Sequence, residues 1–370
     1  MTLYGICVLL VVFGSIMAAL DLFLLVSAPL LLSRLARLTP RLRAQSILAA
    51  RSVPVVGAFV VCACVFLPAW IRHEPSNSGE AASAPLLALA FLALLPILHG
   101  ARRCARMFLK TRDRLLFWRH HGRNTAAVQA PFEVLEVRSG DLALCVGGYL
   151  TPTIYASSDV MNSLEPEEFK AALAHEISHA NTRDPLRLLW MGSCPDFLQV
   201  FRLDEPWRRA FSSACEFAAD DGASHGDRGV ALDLASALLK APDIIDRTVV
   251  VWLGGHALEW RNQAEFNLRQ DVGGVQVLFD SGVPLVLVPC MGVTSHLTST
   301  VAEIERYVEP CGEIGKFLAM RFKEYSDDHL GWAKEIWDMA AVAWLLDPDW
   351  APSVLMPTPI ATELKTYSFD

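Results

Sequence analysis

Apolar residues crowd the first hundred positions, where three hydrophobic stretches alternate with short polar segments. The first runs from Leu3 to Leu32, and its one charged residue is Asp21. The second runs from Val53 to Ile71 and the third from Pro85 to Leu98. A helix needs about 20 mostly apolar residues to cross the hydrocarbon of a bilayer. The first stretch is long enough to span with tilt, the second is adequate and the third is short. They predict about three membrane helices within residues 1–100, with two spans and an interfacial helix as the fallback. A cleaved signal peptide does not account for the first stretch, which lacks a basic leading region and is too long. Asp21 is costly in lipid and is expected to face another helix.

The pattern changes further along the chain. Phe169, Leu173, Ile177 and Ala180 recur at three- and four-residue steps, the signature of one buried helix face. Ser163 or Glu165 can cap that helix, Pro166 suits its first turn, and Glu167 and Glu168 complement its dipole. Thr153 to Ser157 is β-prone. Pro185 to Val200 is apolar enough for a further membrane-associated helix, but Pro195 and Asp196 favour a short or re-entrant one. Beyond about Lys240, DRTVVVWLGG and VPLVLVPCMGV read as buried strands that end in glycine-bearing loops, with helical stretches between them. That alternation is α/β in character.

Charge sharpens the picture. The 370 residues are enough for two domains, 53% are hydrophobic, and the formal net charge is -8. The mean hydropathy is +0.33 and the isoelectric point about 5.7. There is no overall basic footprint of the kind that accompanies nucleic-acid binding. The arginines are nevertheless unevenly placed. Arg34, Arg37, Arg41, Arg43 and Arg51 follow the first stretch without an acidic residue, Arg72 follows the second together with Glu74 and Glu80, and a basic run from Arg102 to Arg114 follows the third. The positive-inside rule then puts the N-terminus outside and everything after the third stretch in the cytoplasm, as in a bacterial inner membrane. Nine cysteines, an odd number with no CxxC pair, indicate scattered reduced thiols rather than a disulfide framework.

The amphipathic helix from Pro166 carries His175, Glu176 and His179, an HExxH pattern. Residues four apart share a helix face, so both imidazoles can reach one ion, and Glu176 is placed to take a proton from water as general base. Zinc suits nitrogen and oxygen donors with one position left open. Downstream, SSACEFAADDGAS puts Glu216 four residues before Asp220 on a second helix. Glu216 is the expected third ligand, and Asp220 is placed to orient a ligand histidine from behind.

From about Gly147 to Leu239 the chain resembles integral-membrane gluzincin metallopeptidases, the group of beta-lactam-sensing transducers and heat-shock membrane proteases. The resemblance rests on GGYLTPTIYASSDVMNSLEPEEFKAALAHEISHANTRD followed by CEFAADDGA. It implies His175, His179 and Glu216 as zinc ligands and Glu176 as the base, with Asp184 and Asp220 in support. It also implies that Thr153 to Ser157 is an edge strand over the metal, where an extended substrate pairs with backbone. The residues alone are equally consistent with a plain structural strand.

From about Ala241 the chain resembles the C-terminal half of inosine/uridine-type nucleoside hydrolases, on VVVWLGGHALEW, AEFNLRQDVGGVQVLFDSGVPLVLVPCMGVTSHL and EIWDMAAVAWLLDP. This resemblance implies that Glu265 and Asn267 match ribose-binding positions and that Asp338 matches a calcium-binding aspartate. Trp337 stands where that family often has histidine, and its N-terminal aspartate cluster has no counterpart here. Asp338 alone cannot supply the six to eight oxygens that calcium takes, so Ca2+ is expected only if a partner completes the site.

The expected architecture is therefore a mainly α, membrane-anchored, zincin-like peptidase followed by an incomplete α/β nucleoside-hydrolase-like segment. Its parts are a transmembrane region at 1–100, a zinc metallopeptidase domain at 101–240 and a partial hydrolase-like region at 241–370. The expected function is zinc-dependent endopeptidase. The alternatives are an N-ribosyl hydrolase-like protein and a non-catalytic membrane sensor. Expected partners are membrane lipid and a peptide or protein substrate, with no nucleic acid. A second copy or another chain is expected to cover the incomplete C-terminal sheet.

Overall fold

A computed structural model describes residues 2–73, 81–125, 130–138, 144–240, 245, 247–257, 259–260, 262, 264–362 and 366–368. The chain divides into two compact units, Met1–Ala231 and Leu232–Asp370.

Three long helices open the first unit: α1, Leu3–Leu35; α2, Pro40–His73; and α3, Ala84–His121. All three are long and apolar enough to cross a membrane. Thr2 caps α1 by accepting from the Gly5 N–H at 3.2 Å, and Ser83 caps α3 by accepting from Leu86. A π-helical turn, Cys62–Phe66, interrupts α2. At about 1.5 Å per residue each helix is roughly 50 Å long or more, well beyond the roughly 30 Å of bilayer hydrocarbon. The third apolar stretch, short in sequence, is the start of a 38-residue helix because the basic run after it stays helical. Glu74 and Glu80 lie outside the described residues. Gly14 lets α1 meet α3 closely, since a Cβ there would stand 2.5 Å from that of Ala93.

The excess helix length is built into the core of the first unit. Leu24 and Ala28 of α1 and Ala44 and Ile47 of α2 pack with Met191, Leu198, Trp207, Phe211 and Cys215. Trp207 and Phe211 are fully buried there, each contributing roughly 2–3 kcal/mol of apolar burial. Asp21 is buried, as its cost in lipid demands, and accepts from the Phe197 N–H at 2.8 Å. Arg51 and Asp196 form a fully buried ion pair at 2.6 Å.

A four-stranded sheet follows: β1, Arg123–Asn124; β2, Glu133–Val137; β3, Leu144–Gly147; and β4, Thr153–Ser157, in the order β1-β2-β4-β3. β2 and β4 are parallel with Val134 opposite Ile154, whereas β3 runs antiparallel to β4. Residues on one face, Val134, Ile154, Leu144 and Val146, pack on Leu173, Phe169 and Ile177. Residues on the other, Leu135, Val137, Tyr155 and Cys145, pack on Leu115 and Trp118 of α3. The expectation that Thr153–Ser157 is an edge strand is corrected here. β4 is hydrogen-bonded on both sides and all five of its residues are buried, so the edge nearest the helices belongs to β3.

Next come α4, Pro166–Thr182; α5, Asp184–Ser193; and α6, Glu205–Ser224. Glu165 and Glu168 form a capping box at the start of α4. Pro185 to Val200 is not one helix. It breaks into α5 and a short turn, Phe197–Val200, because Pro195 cannot continue α5 and Asp196 caps the turn through Gln199.

In the second unit β5, Val250–Leu253, pairs in parallel with β6, Leu285–Val288. Trp252, Leu285 and Leu287 face Leu268, Val275 and Phe279 of two helices, α7, Phe266–Gln270, and α8, Val272–Asp280. The opposite residues, Val251, Leu253, Val286 and Val288, face Trp337 and Ala340 at the start of α9, Met339–Leu346. Apolar side chains on both faces explain why these strands read as continuous hydrophobic runs.

Candidate metal centre

α4 and α6 pack side by side and bring three donors together. One ligand atom each from His175, His179 and Glu216 lies within 4.8 Å of the others. The two Nε2 atoms are 3.1 Å apart, and Glu216 Oε2 stands 3.6 Å from each. Around a tetrahedral ion with bonds of about 2.0–2.1 Å, ligand atoms are separated by about 3.3–3.4 Å. The observed triangle matches that edge length. Two imidazole lone pairs aimed at one point also require a positive charge between them, a proton or a cation. The donor set therefore fits zinc.

The opposite side of each ring is held by its own carboxylate. His179 Nδ1 contacts Asp184 Oδ2 at 2.8 Å in a good hydrogen bond. His175 Nδ1 lies 2.9 Å from Asp220 Oδ1, in a less well aligned contact. Such pairing places the proton on Nδ1 and leaves Nε2 free to ligate. Asp184 is fixed in turn by Arg187, whose Nη1 is 2.7 Å from Oδ1. Both histidines are buried, whereas the Glu216 side chain is 59% exposed, so the centre opens to solvent on that side.

Electrostatics follow from this packing. Burial alone lowers the His175 pKa, but Asp220 and Glu216 outweigh it and raise it to about 9. For His179 burial is likewise outweighed, by Asp184 and Glu216, and the pKa rises to about 10. The two histidines beside it hold the Glu216 carboxyl down at about 2. Burial pushes the Glu176 carboxyl above its usual range, against the pull of both histidines and a hydrogen bond from the Val146 backbone. That last contact ties Glu176 to β3.

Sequence reasoning missed two participants. Arg187 was legible as the partner of Asp184 three residues earlier in DPLR, but Val146 acts through its backbone, which no residue type reveals.

The residues singled out in the second unit are differently engaged. Glu265 is buried, and its Oε2 accepts from the N–H groups of Gly255, Asn267 and Leu268. Asn267 Nδ2 donates to the Leu253 carbonyl at 3.0 Å. Asp338 is exposed at the N-cap of α9, without a side-chain capping bond. Burial first, then the Glu265 and Asp338 carboxylates, push the nearby Cys290 thiol to about 12.

Comparison with known proteins agrees with this division. Residues 129–218 match the sequence profile of Peptidase family M48. The M48-like segment contains every donor of the three-residue cluster. Residues 229–367 match the profile described as inosine-uridine preferring nucleoside hydrolase. The chain thus joins three apolar helices, an M48-like segment and a nucleoside-hydrolase-like segment. An uncharacterized protein of Schizosaccharomyces pombe is 30% identical over 133 residues, covering 33% of this chain and 41% of that protein. The pyrimidine-specific ribonucleoside hydrolase RihA of Salmonella paratyphi B is 30% identical over 107 residues, covering 27% of this chain and 34% of RihA. RihA of Salmonella enteritidis is 33% identical over the same length, with the same coverage. The chain spans about two fifths or less of the length of these curated relatives.

Proposed function

We propose that the chain is a membrane-anchored zinc endopeptidase in which His175, His179 and Glu216 hold the metal and Glu176 is the general base. The convergence of those three donors within 4.8 Å, inside the M48-like segment, carries this reading. Zinc in that site would supply Lewis acidity toward a peptide carbonyl and make water a better nucleophile at neutral pH. Asp184 and Asp220 keep the rings oriented with Nε2 forward. Among the described residues β3 pairs on one side only, so its open edge can receive an extended peptide by backbone pairing. Glu176 beside that edge accepts a proton from the attacking water at its carboxylate and hands it to the leaving amine nitrogen. Its raised pKa suits both transfers. The basic segments after α1 and within α3 favour a cytoplasmic peptidase domain and an external N-terminus, in a bacterial inner membrane.

The hydrolase-like match favours a second reading, N-ribosyl hydrolysis, for residues 229–367. We place it second because the sequence has no aspartate cluster for calcium and because Glu265 Oε2 already accepts three backbone hydrogen bonds. A partner chain or second copy that completes the β5–β6 sheet would have to bring the missing ligands. The deciding experiment compares peptide cleavage and metal content of the purified full-length protein with those of Glu176→Gln. The variant should keep its metal and lose cleavage. Full activity in Glu176→Gln would end the assignment.

A further inference from the structure

A cleft of about 370 Å³ opens in the first unit beside α2, lined by Arg41, Gln45, Leu48, Ser52, Thr182 and Arg187. None of the three clustered donors lines it. Ser52 stands immediately before the apolar run Val53–Ile71, and its Oγ accepts from the indole N–H of Trp190 at 2.9 Å. Trp190 is partly exposed, the placement an aromatic residue takes at a membrane–water boundary. From that boundary the cleft follows one face of α2 for eleven residues, about 16 Å, to Arg41.

The cleft is basic. Arg41 pairs with no acidic side chain among the described residues. Arg187 gives Nη1 to Asp184 and lies over the Phe211 ring, while its Nη2 is buried without a hydrogen-bond partner. The adjoining stretch from Arg34 to Arg43 contains no carboxylate. Among the described residues Asp184 is the one acidic group in direct contact with the lining arginines, and its other oxygen holds His179. Two guanidiniums and an amide at the foot of an apolar span match the chemistry of a phosphate carried on an acyl-chained headgroup, beside the Ser52 and Thr182 hydroxyls, which already donate to backbone carbonyls. Anionic lipids also concentrate where a basic juxtamembrane segment meets the bilayer.

We propose that this cleft binds the phosphate of an anionic lipid headgroup from the leaflet on the peptidase side. The bound phosphate draws on Arg187, the residue that fixes Asp184 behind His179, and so links lipid composition to the metal centre. The lipid site itself depends on membrane anchoring and not on peptidase activity, so the two readings fail separately.

The test reconstitutes the full-length protein into nanodiscs of phosphatidylcholine containing brominated phosphatidylglycerol or brominated phosphatidylcholine in equal fraction. Trp190 quenching is isolated by subtracting Trp190→Phe. Quenching by the anionic lipid should exceed that by the zwitterionic lipid several-fold, Arg41→Gln should remove most of the difference, and Arg41→Lys should restore part of it. Cobalt affinity measured in the same discs should differ a few-fold between the two lipids in wild type, and should not differ in Arg41→Gln. Unchanged circular dichroism checks that the exposed Arg41 site tolerates substitution. Equal quenching by both lipids, or a preference indifferent to Arg41→Gln, overturns the proposal. Full displacement of the anionic lipid by millimolar inorganic phosphate overturns the lipid source in favour of a soluble one.

Discussion

The three-donor cluster on α4 and α6 and the Glu265 site beside α7 both rest on a carboxylate that a sequence motif singled out, yet they differ in burial and in what the oxygens touch. Glu216 faces two imidazole nitrogens whose far sides are already held by Asp184 and Asp220. Its charge is therefore directed into the site. Glu265 turns one oxygen onto three backbone N–H groups, two of them at the start of its own helix. A carboxylate so engaged stabilises the loop between β5 and α7, and only its Oε1 is left to meet a ligand. A motif identifies donors; their other hydrogen bonds decide whether they are free to bind.

The largest expected effect comes from the base. Glu176→Gln should lower peptide cleavage by about 10²–10⁴-fold with metal retained, as measured by turnover and metal analysis on one preparation. Next, His175→Ala or Glu216→Ala should bring metal content to background, whereas Glu265→Ala should leave it unchanged. Metal retained in both of the first two variants would erase the contrast between the sites. A smaller effect is expected behind the histidines: Asp184→Asn should weaken metal affinity about 10–100-fold while the fold persists, as read by competition with a chromophoric chelator. Smaller again, Glu265→Ala should destabilise the second unit by about 1–2 kcal/mol in denaturant titration, the range for a lost helix cap.

The metal-free protein offers a test by pH. His175 and His179 are raised from 6.5 to about 9 and about 10, so their contribution is complete below 6.5 and lost as pH rises through 9 to 10. Glu216 is lowered from 4.5 to about 2, so its contribution is complete above 4.5 and lost as pH falls through 2. The cluster should therefore stabilise the chelator-treated protein most between about pH 4.5 and 6.5. Thermal unfolding of wild type against His175→Ala should show the largest gap in that window. A gap independent of pH would mean that the rings and carboxylates do not interact as their distances imply.

Much was legible in the chain itself. Three apolar runs marked three helices, the step of Phe169, Leu173 and Ile177 marked α4, and continuous apolar runs marked β5 and β6, because burial leaves its period in residue type. HExxH and the later Glu216 named the three side chains that α4 and α6 bring together, and Asp220 the carboxylate beside His175, since helical spacing is a local geometry. Other features needed three dimensions. Strand order made β3 the open edge in place of β4, and no local signal specifies which strand pairs on both sides. The use of the C-terminal end of α1 and the N-terminal end of α2 in the core of the first unit follows from packing partners more than a hundred residues away, and the length of α3 from the strands that pack on its last turns. The occupation of Glu265 by backbone donors was likewise invisible, because a side chain's partners depend on where the folded chain passes, and composition records only what it is able to bind.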